Sequence, residues 1–283
     1  MLFWGASWPI ANVLSGYMNL HEFIAYRYVI VTLSMVAVLR WMKLSFAITW
    51  RELLAATLAA LLLVYYTKYY FLATKYGAPG LAGAVVTTLM PILVYVFTLP
   101  SRAEKTHARD WGALLLGALG VGITMGVWQF QASEVLSAHY DYLLGAATCW
   151  ALLSLTGAYA QNLHPAVFSF YLYLMTSVID IALFLEPNPQ LWQQTDGVFW
   201  FNFLTLTFIS TTFATTVYFL GVKRLGAKRS SAFTFLVPFF ALGLSAIFLG
   251  EVLQWHVLLG VSLTIFSLII LNRIKIGFYN RDP

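Results

Sequence analysis

The chain has 283 residues, 60% of them hydrophobic and only 10% charged, with a mean hydropathy of +0.78. A soluble globular domain carries about 25% charged residues, so water-soluble classes are excluded and the chain belongs in a bilayer. The net charge of +5 would suit a nucleic-acid binder, but the cations are sorted into particular breaks between apolar stretches and form no contiguous basic patch. Nucleic acid is therefore excluded as a partner.

An apolar stretch needs about 20 residues to cross the hydrocarbon as a helix. Charged and turn-rich breaks delimit ten such stretches, near residues 2–17, 22–40, 53–75, 79–99, 111–128, 142–160, 165–185, 197–222, 229–249 and 253–272. The first lacks a basic flank and a small-residue cleavage site, so it is expected to be a membrane helix and not a removable signal. It carries Trp4, Ser7 and Trp8. Trp8 suits an interfacial aromatic belt, whereas Trp4 suits a cavity wall because Trp150 occupies the matching place in the second half.

Ionisable side chains at membrane depth are costly and mark function by default. There are three: Arg27 in the second stretch, Lys68 in the third and Asp180 in the seventh. Arg27 and Asp180 fit a structural pair, or an arginine reaching to the outer interface. Lys68 lies in the run Tyr65-Tyr66-Thr67-Lys68-Tyr69-Tyr70, where Tyr65 with Lys68, and Tyr66 with Tyr70, share helix faces. A lysine among phenols can anchor a carboxylate or phosphate while the rings accept an apolar portion. Tyr65, Lys68, Tyr69 and Thr88 are thus expected to meet substrate. In the second half the expected contacts are Trp150, Thr211, Thr215 and Phe235, although threonine hydroxyls in helices commonly bond the carbonyl four residues back. The buried charge is net positive, which favours a solute with an anionic or zwitterionic head.

Pro91 and Pro238 each remove a backbone donor and are expected to kink the fourth and ninth helices as a hinge pair. Gly112, Gly117, Gly120, Gly122 and Gly126 in the fifth stretch, with Gly260 and Ser262 in the tenth, predict close helix packing. Cys149 is the sole cysteine, so no intramolecular disulfide can form.

The chain is built twice. Pro91 and Glu104 recur 147 residues later as Pro238 and Glu251, and Tyr70-Phe71-Leu72 recurs 148 residues later as Tyr218-Phe219-Leu220. Both glutamates are expected to cap or anchor the helix that follows. If the N-terminus is cytoplasmic, the inward breaks and the tail hold 13 of the 16 Lys and Arg residues, while Glu22, Glu134, Asp141, Glu186, Asp196 and Glu251 lie outward. Five crossings per half is an odd number, so the halves, residues 1–136 and 137–283, must be inverted relative to each other. Inverted repeats exchange inward and outward openings around a site at their interface. The expected fold is an all-α membrane protein of ten transmembrane helices in two inverted five-helix repeats, with both termini cytoplasmic.

Phe3-Trp4-Gly5-Ala6-Ser7-Trp8-Pro9, Arg27, Gly77-Ala78, the Pro91 and Pro238 helices and the trailing Gly250-Glu251 together resemble the drug/metabolite transporter superfamily in its EamA-like branch. The resemblance implies a secondary transporter, often an exporter, in a bacterial inner membrane. It implies a cavity built by helices one, three, four, six, eight and nine. Pro79 and Met90 depart from the small or polar residues usual there. The expected cargo is a small metabolite such as an amino acid or organic acid. A multidrug or sugar-phosphate carrier is the alternative, and a receptor or scaffold is the alternative from another class. The first helix has no acidic residue of the kind that half-size multidrug relatives use for proton exchange. No cofactor or metal is expected, and the protein is expected as a monomer or a homodimer. An intramembrane enzyme finds no support, since His21, His107, His139, His164 and His256 all fall at helix ends and no metalloprotease or serine-elbow motif occurs. A reporter fused after Gln131 is expected to face the exterior; cytoplasmic activity there would overturn the topology.

Overall fold

A computed structural model describes residues 1–98, 108–125, 128, 140–159, 163–186, 188, 190–252 and 254–271. Among them there is no strand. The helices are α1 (Leu2–Leu14), α2 (Leu20–Trp41), α3 (Trp50–Tyr76), α4 (Pro79–Thr98), α5 (Ala108–Met125), α6 (Tyr140–Tyr159), α7 (Pro165–Leu183), α8 (Gly197–Leu225), α9 (Ala227–Leu249) and α10 (Trp255–Leu271). Six of them, α2, α3, α4, α7, α8 and α9, are long and apolar enough to cross a membrane. Helical folding is what a bilayer demands, because each backbone N–H and C=O must find its partner within the segment.

Local sequence sets where the helices begin. Asn19 and Glu22 close a capping box on α2, and Thr49 and Glu52 close another on α3. Asp196 accepts the Phe199 N–H at 2.8 Å at the head of α8; with the Tyr17 hydroxyl also donating to it, its carboxyl is held below the usual carboxylate range. α1 stops at Leu14, a turn earlier than its apolar run, because Ser15, Gly16 and Tyr17 leave the helix in successive tight turns.

The helices pair in a pattern that is preserved when each is exchanged for the one five further on. α2 packs on α7, α4 on α9 and α5 on α10; α1 meets α9 as α6 meets α4, and α3 meets α6 as α8 meets α1. The prolines meet in this arrangement. Pro91 has no N–H to offer the Thr87 carbonyl one turn back, and Thr234 Oγ1 fills that vacancy from α9 at 2.9 Å. α4 runs through Pro91 without a break, whereas Pro238 follows a 3₁₀ turn at Phe233–Leu236.

Two expectations change here. Glu251 does not cap the helix that follows it. It comes directly after Gly250, which ends α9 in the left-handed conformation at φ 70°, and its Oε1 accepts the Gly80 N–H of α4 at 3.0 Å. Burial raises the Glu251 carboxyl above its ordinary pKa, and the Gly80 bond opposes that rise. Its repeat counterpart Glu104 lies outside the described residues, as do Gly126 and Glu134. The second change is in α8, where Thr205–Phe213 is wound as a π-helix. Thr211 and Thr212 there bond carbonyls five residues back, Leu206 O at 2.8 Å and Thr207 O at 3.0 Å, instead of four.

α5 and α10 approach closely at glycine. A methyl group at Gly120 would stand 2.7 Å from both the Gly260 carbonyl and Thr264 Cγ2, so Gly120→Ala must push the helices apart. Overpacking of this kind costs about 1–3 kcal/mol. A lower midpoint in detergent thermal unfolding is expected; an unchanged midpoint would show that the contact yields freely.

Candidate functional site

A cavity of about 50 Å³ lies within the bundle. The α2 capping box at Asn19 fixes the register of that helix, and Arg27 follows eight residues on, roughly 12 Å along the axis. Arg27 is buried at 4% exposure and its guanidinium lines the cavity. Nη2 donates to the Tyr28 hydroxyl at 2.6 Å and reaches Thr67 Oγ1 at 3.4 Å. The two hydroxyls are themselves 2.9 Å apart. Cζ stands 4.5 Å from the ring centroids of both Phe23 and Tyr28. No carboxylate among the described residues pairs with it, and Nε has no hydrogen-bond partner.

The energetics point one way. Desolvating a cation costs several kcal/mol after relaxation, whereas cation–π contacts contribute about 2 kcal/mol when dry and neutral hydrogen bonds about 1 kcal/mol each. The local partners hold the guanidinium in place without neutralising it. An anion entering the cavity would complete the balance.

The remaining walls are aromatic and hydroxylic. Trp4 and Trp150 meet edge to face at 5.1 Å, Tyr66 lies 4.6 Å from Trp150, and Trp8 packs on Tyr70 at 4.7 Å. The Tyr70 hydroxyl donates to the Ser7 carbonyl, which fixes α1 against α3. Tyr173 stacks on Tyr28 at 5.7 Å and donates to the Thr211 carbonyl at 3.2 Å. From the π segment and the turn after it, Ser210, Thr211 and Thr215 complete the lining, and Ser210 Oγ is bound to the Phe3 carbonyl at 2.8 Å. The Trp150 indole N–H is buried beside Tyr218, whose hydroxyl is the acceptor within its reach. The unpartnered Arg27 Nε leaves a donor hydrogen in a largely aromatic surrounding.

Of the expected contacts, Trp4, Ser7, Trp150, Thr211 and Thr215 line this cavity, and Tyr65, Lys68, Tyr69, Thr88 and Phe235 do not. Lys68 and Tyr65 lie on the exposed side of α3, because the face that turns inward is the one bearing Leu63, Tyr66 and Tyr70. Tyr69 packs against Tyr142 and Gly145 of α6. Thr88 is buried and bonded to the Ala84 carbonyl at 2.7 Å, and Phe235 belongs to a separate core with Tyr95 and Leu271. Arg27 replaces Lys68 as the cation of the site. Asp180 does not pair with Arg27; its Oδ1 meets His21 Nδ1 at 2.9 Å and ties α7 to α2. Trp8, expected in a belt, is 1% exposed and forms a cavity wall. α2 and α7 contribute Arg27, Tyr28 and Tyr173, while α9 contributes nothing. Tyr28, Thr87 and Tyr173 carried no signal of their own in the sequence, but Tyr66 and Tyr70 did, through their one-turn spacing.

This is a multi-pass helical membrane protein with an internal cavity. The sequence matches the EamA-like transporter family over residues 1–126 and again over 140–273. The chain therefore belongs to the EamA-like transporter family and is a membrane transporter of the drug/metabolite type. No curated protein matches it. A solved protein crystal structure superposes over 96% of this chain and 94% of its own with a TM-score of 0.74 at 17% identity, which establishes likeness of fold alone.

The Tyr28 hydroxyl is the shortest bond to the guanidinium, so Tyr28→Phe is expected to destabilise the fold by about 1–3 kcal/mol. Chemical denaturation in detergent reads this directly, and equal stability would mean that Thr67 alone suffices.

Proposed function

We propose that the protein is a secondary transporter for a small carboxylate with an apolar or aromatic body, an amino acid or organic acid, moved by alternating access. The observation that carries this reading is the buried Arg27 guanidinium, unpaired by any described carboxylate, facing a cavity walled by tryptophan and tyrosine. The carboxylate would bind Arg27, and the body would lie among Trp4, Trp8, Tyr66 and Tyr70. Ser7, Ser210, Thr211 and Thr215 would meet a polar substituent such as an amino group. A cationic drug fits poorly, because the charge already in the cavity is positive and no acidic side chain lines it.

The same reading takes the fold as ten crossings in two inverted repeats, with both termini cytoplasmic, in a bacterial inner membrane. The exchange-invariant helix pairing and the two-part family match support it. Repeats of opposite orientation let the site open to either side in turn, and α4 and α9, joined at Thr87, Pro91, Thr234 and Pro238, are placed to act as the hinge pair. Export is the direction that the family resemblance implies.

Purified protein in proteoliposomes is expected to take up labelled amino acids or monocarboxylates saturably. Charged hydrogen bonds contribute about 1.5–3 kcal/mol, so Arg27→Gln should weaken binding roughly ten- to hundredfold, read as loss of the ligand-induced thermal shift. Lys68→Met should leave both readouts unchanged. A carboxylate panel that is never moved, or an Arg27→Gln protein that binds and transports normally, would overturn the proposal.

A further inference from the structure

A second void opens on the flank of the bundle. It is a groove of about 350 Å³ between the start of α1, the second half of α8 and the start of α9. Trp4 belongs to its wall and also to the wall of the central cavity. Trp4 and Tyr218, with ring centroids 4.9 Å apart, therefore stand between the two spaces. Phe213, Val217 and Leu225 make the groove apolar and are exposed. Among its polar groups is Ser230, which is 3% exposed and whose Oγ has no hydrogen-bond partner. Arg224 and Arg229, sequence neighbours of Leu225 and Ser230, are exposed at the same end.

The repeat supplies a control within the molecule. The equivalent position, between α6, the end of α3 and the start of α4, holds a void of only about 80 Å³ that shares no residue with the central cavity. Trp150 is the counterpart of Trp4, and the 148-residue offset that matches Tyr70 to Tyr218 sets Tyr66 opposite Ala214. Tyr66 covers Trp150 with its ring at 4.6 Å, whereas Ala214 leaves a methyl group on the groove wall. One end of the site is filled by a phenol, and the other is open because that phenol is missing.

We infer that the groove is the passage between the Arg27 cavity and the membrane face bearing the start of α1, and that Trp4 is its door. The inference rests on the proposed carboxylate transport, and the occupant is the transported solute itself. Tyr218 is the fixed jamb, since its hydroxyl is bound to Ser154 Oγ at 2.7 Å. The Trp4 indole makes ring contacts to Trp150 and Tyr218 and, among the described residues, no side-chain hydrogen bond. Its rotation therefore breaks ring contacts and no side-chain hydrogen bond. The apolar body of the solute slides along Phe213 and Val217, its head group meets Ser230 on the way, and Arg224 and Arg229 attract the anion at the mouth.

Ala214→Tyr puts the missing phenol back and is expected to reduce transport by about tenfold or more, as blocked gating does. Carboxylate binding, read by thermal shift, should stay within about twofold of wild type, because Ala214 lies outside the cavity lining. In a Cys149→Ala background, alkylation of Val217→Cys with a bulky maleimide should block transport in the same way, which covers the case of a tyrosine variant that does not fold. Normal transport by Ala214→Tyr, or by fully alkylated Val217→Cys, overturns the passage while leaving the Arg27 site standing. Absence of carboxylate binding by the unmodified protein instead removes the transport reading, and the passage with it.

Discussion

Burying the Arg27 guanidinium is the constraint on which the centre of the molecule depends. A cation at membrane depth is tolerated only where protein surrounds it with oriented dipoles, and here the dipoles come from separate elements: the Tyr28 hydroxyl on α2 and the Thr67 hydroxyl on α3, with the Phe23 ring face completing the shell. Tyr28 is in turn stacked on Tyr173 of α7, which is tied to the π segment of α8 through Thr211. Four helices are thus referred to one charge. Because none of these partners is anionic, the arrangement holds the charge in position and leaves its neutralisation to whatever enters.

The two halves also complete each other's backbone. Thr234 of α9 supplies the donor that Pro91 withholds from α4, and Glu251, just beyond α9, supplies an acceptor at the head of α4. With no hydrophobic drive between helices in lipid, such bonds and the close glycine contacts of α5 with α10 are what specify the packing. The π-helical stretch of α8 belongs to the same economy of unsatisfied groups. Its threonine hydroxyls bond carbonyls five residues back, and the wide turn brings Ser210, Thr211 and Thr215 onto the cavity wall together.

Much of this was legible from residue types and spacing. Helix spans followed from hydrophobic length, and pairing of equivalent positions followed from the recurrence of Pro91 as Pro238 and of Trp4 as Trp150. Trp4, Ser7, Trp150, Thr211 and Thr215, singled out as polar or aromatic residues on apolar helices, line the central cavity. Lys68 misled for a definite reason. On a 27-residue helix the run from Tyr65 to Tyr70 covers the whole circumference, so tyrosines mark both faces, and a lysine between them faces inward or outward according to rotation alone. Arg27, in a helix without such a run, looked structural and turned out to be the cation of the cavity.

The sequence by itself determined that the chain is a helical membrane protein and which ionisable groups fall within its apolar stretches. These depend on composition, length and order, all of which are local properties of the chain. Only the tertiary structure decided which face of each helix turns inward, that Asp180 answers to His21 and leaves Arg27 without a carboxylate partner among the described residues, and that Glu251 serves α4. Helix rotation and partner choice are set by side chains far apart in sequence competing for the same interior space, and no pattern within a single helix records the outcome.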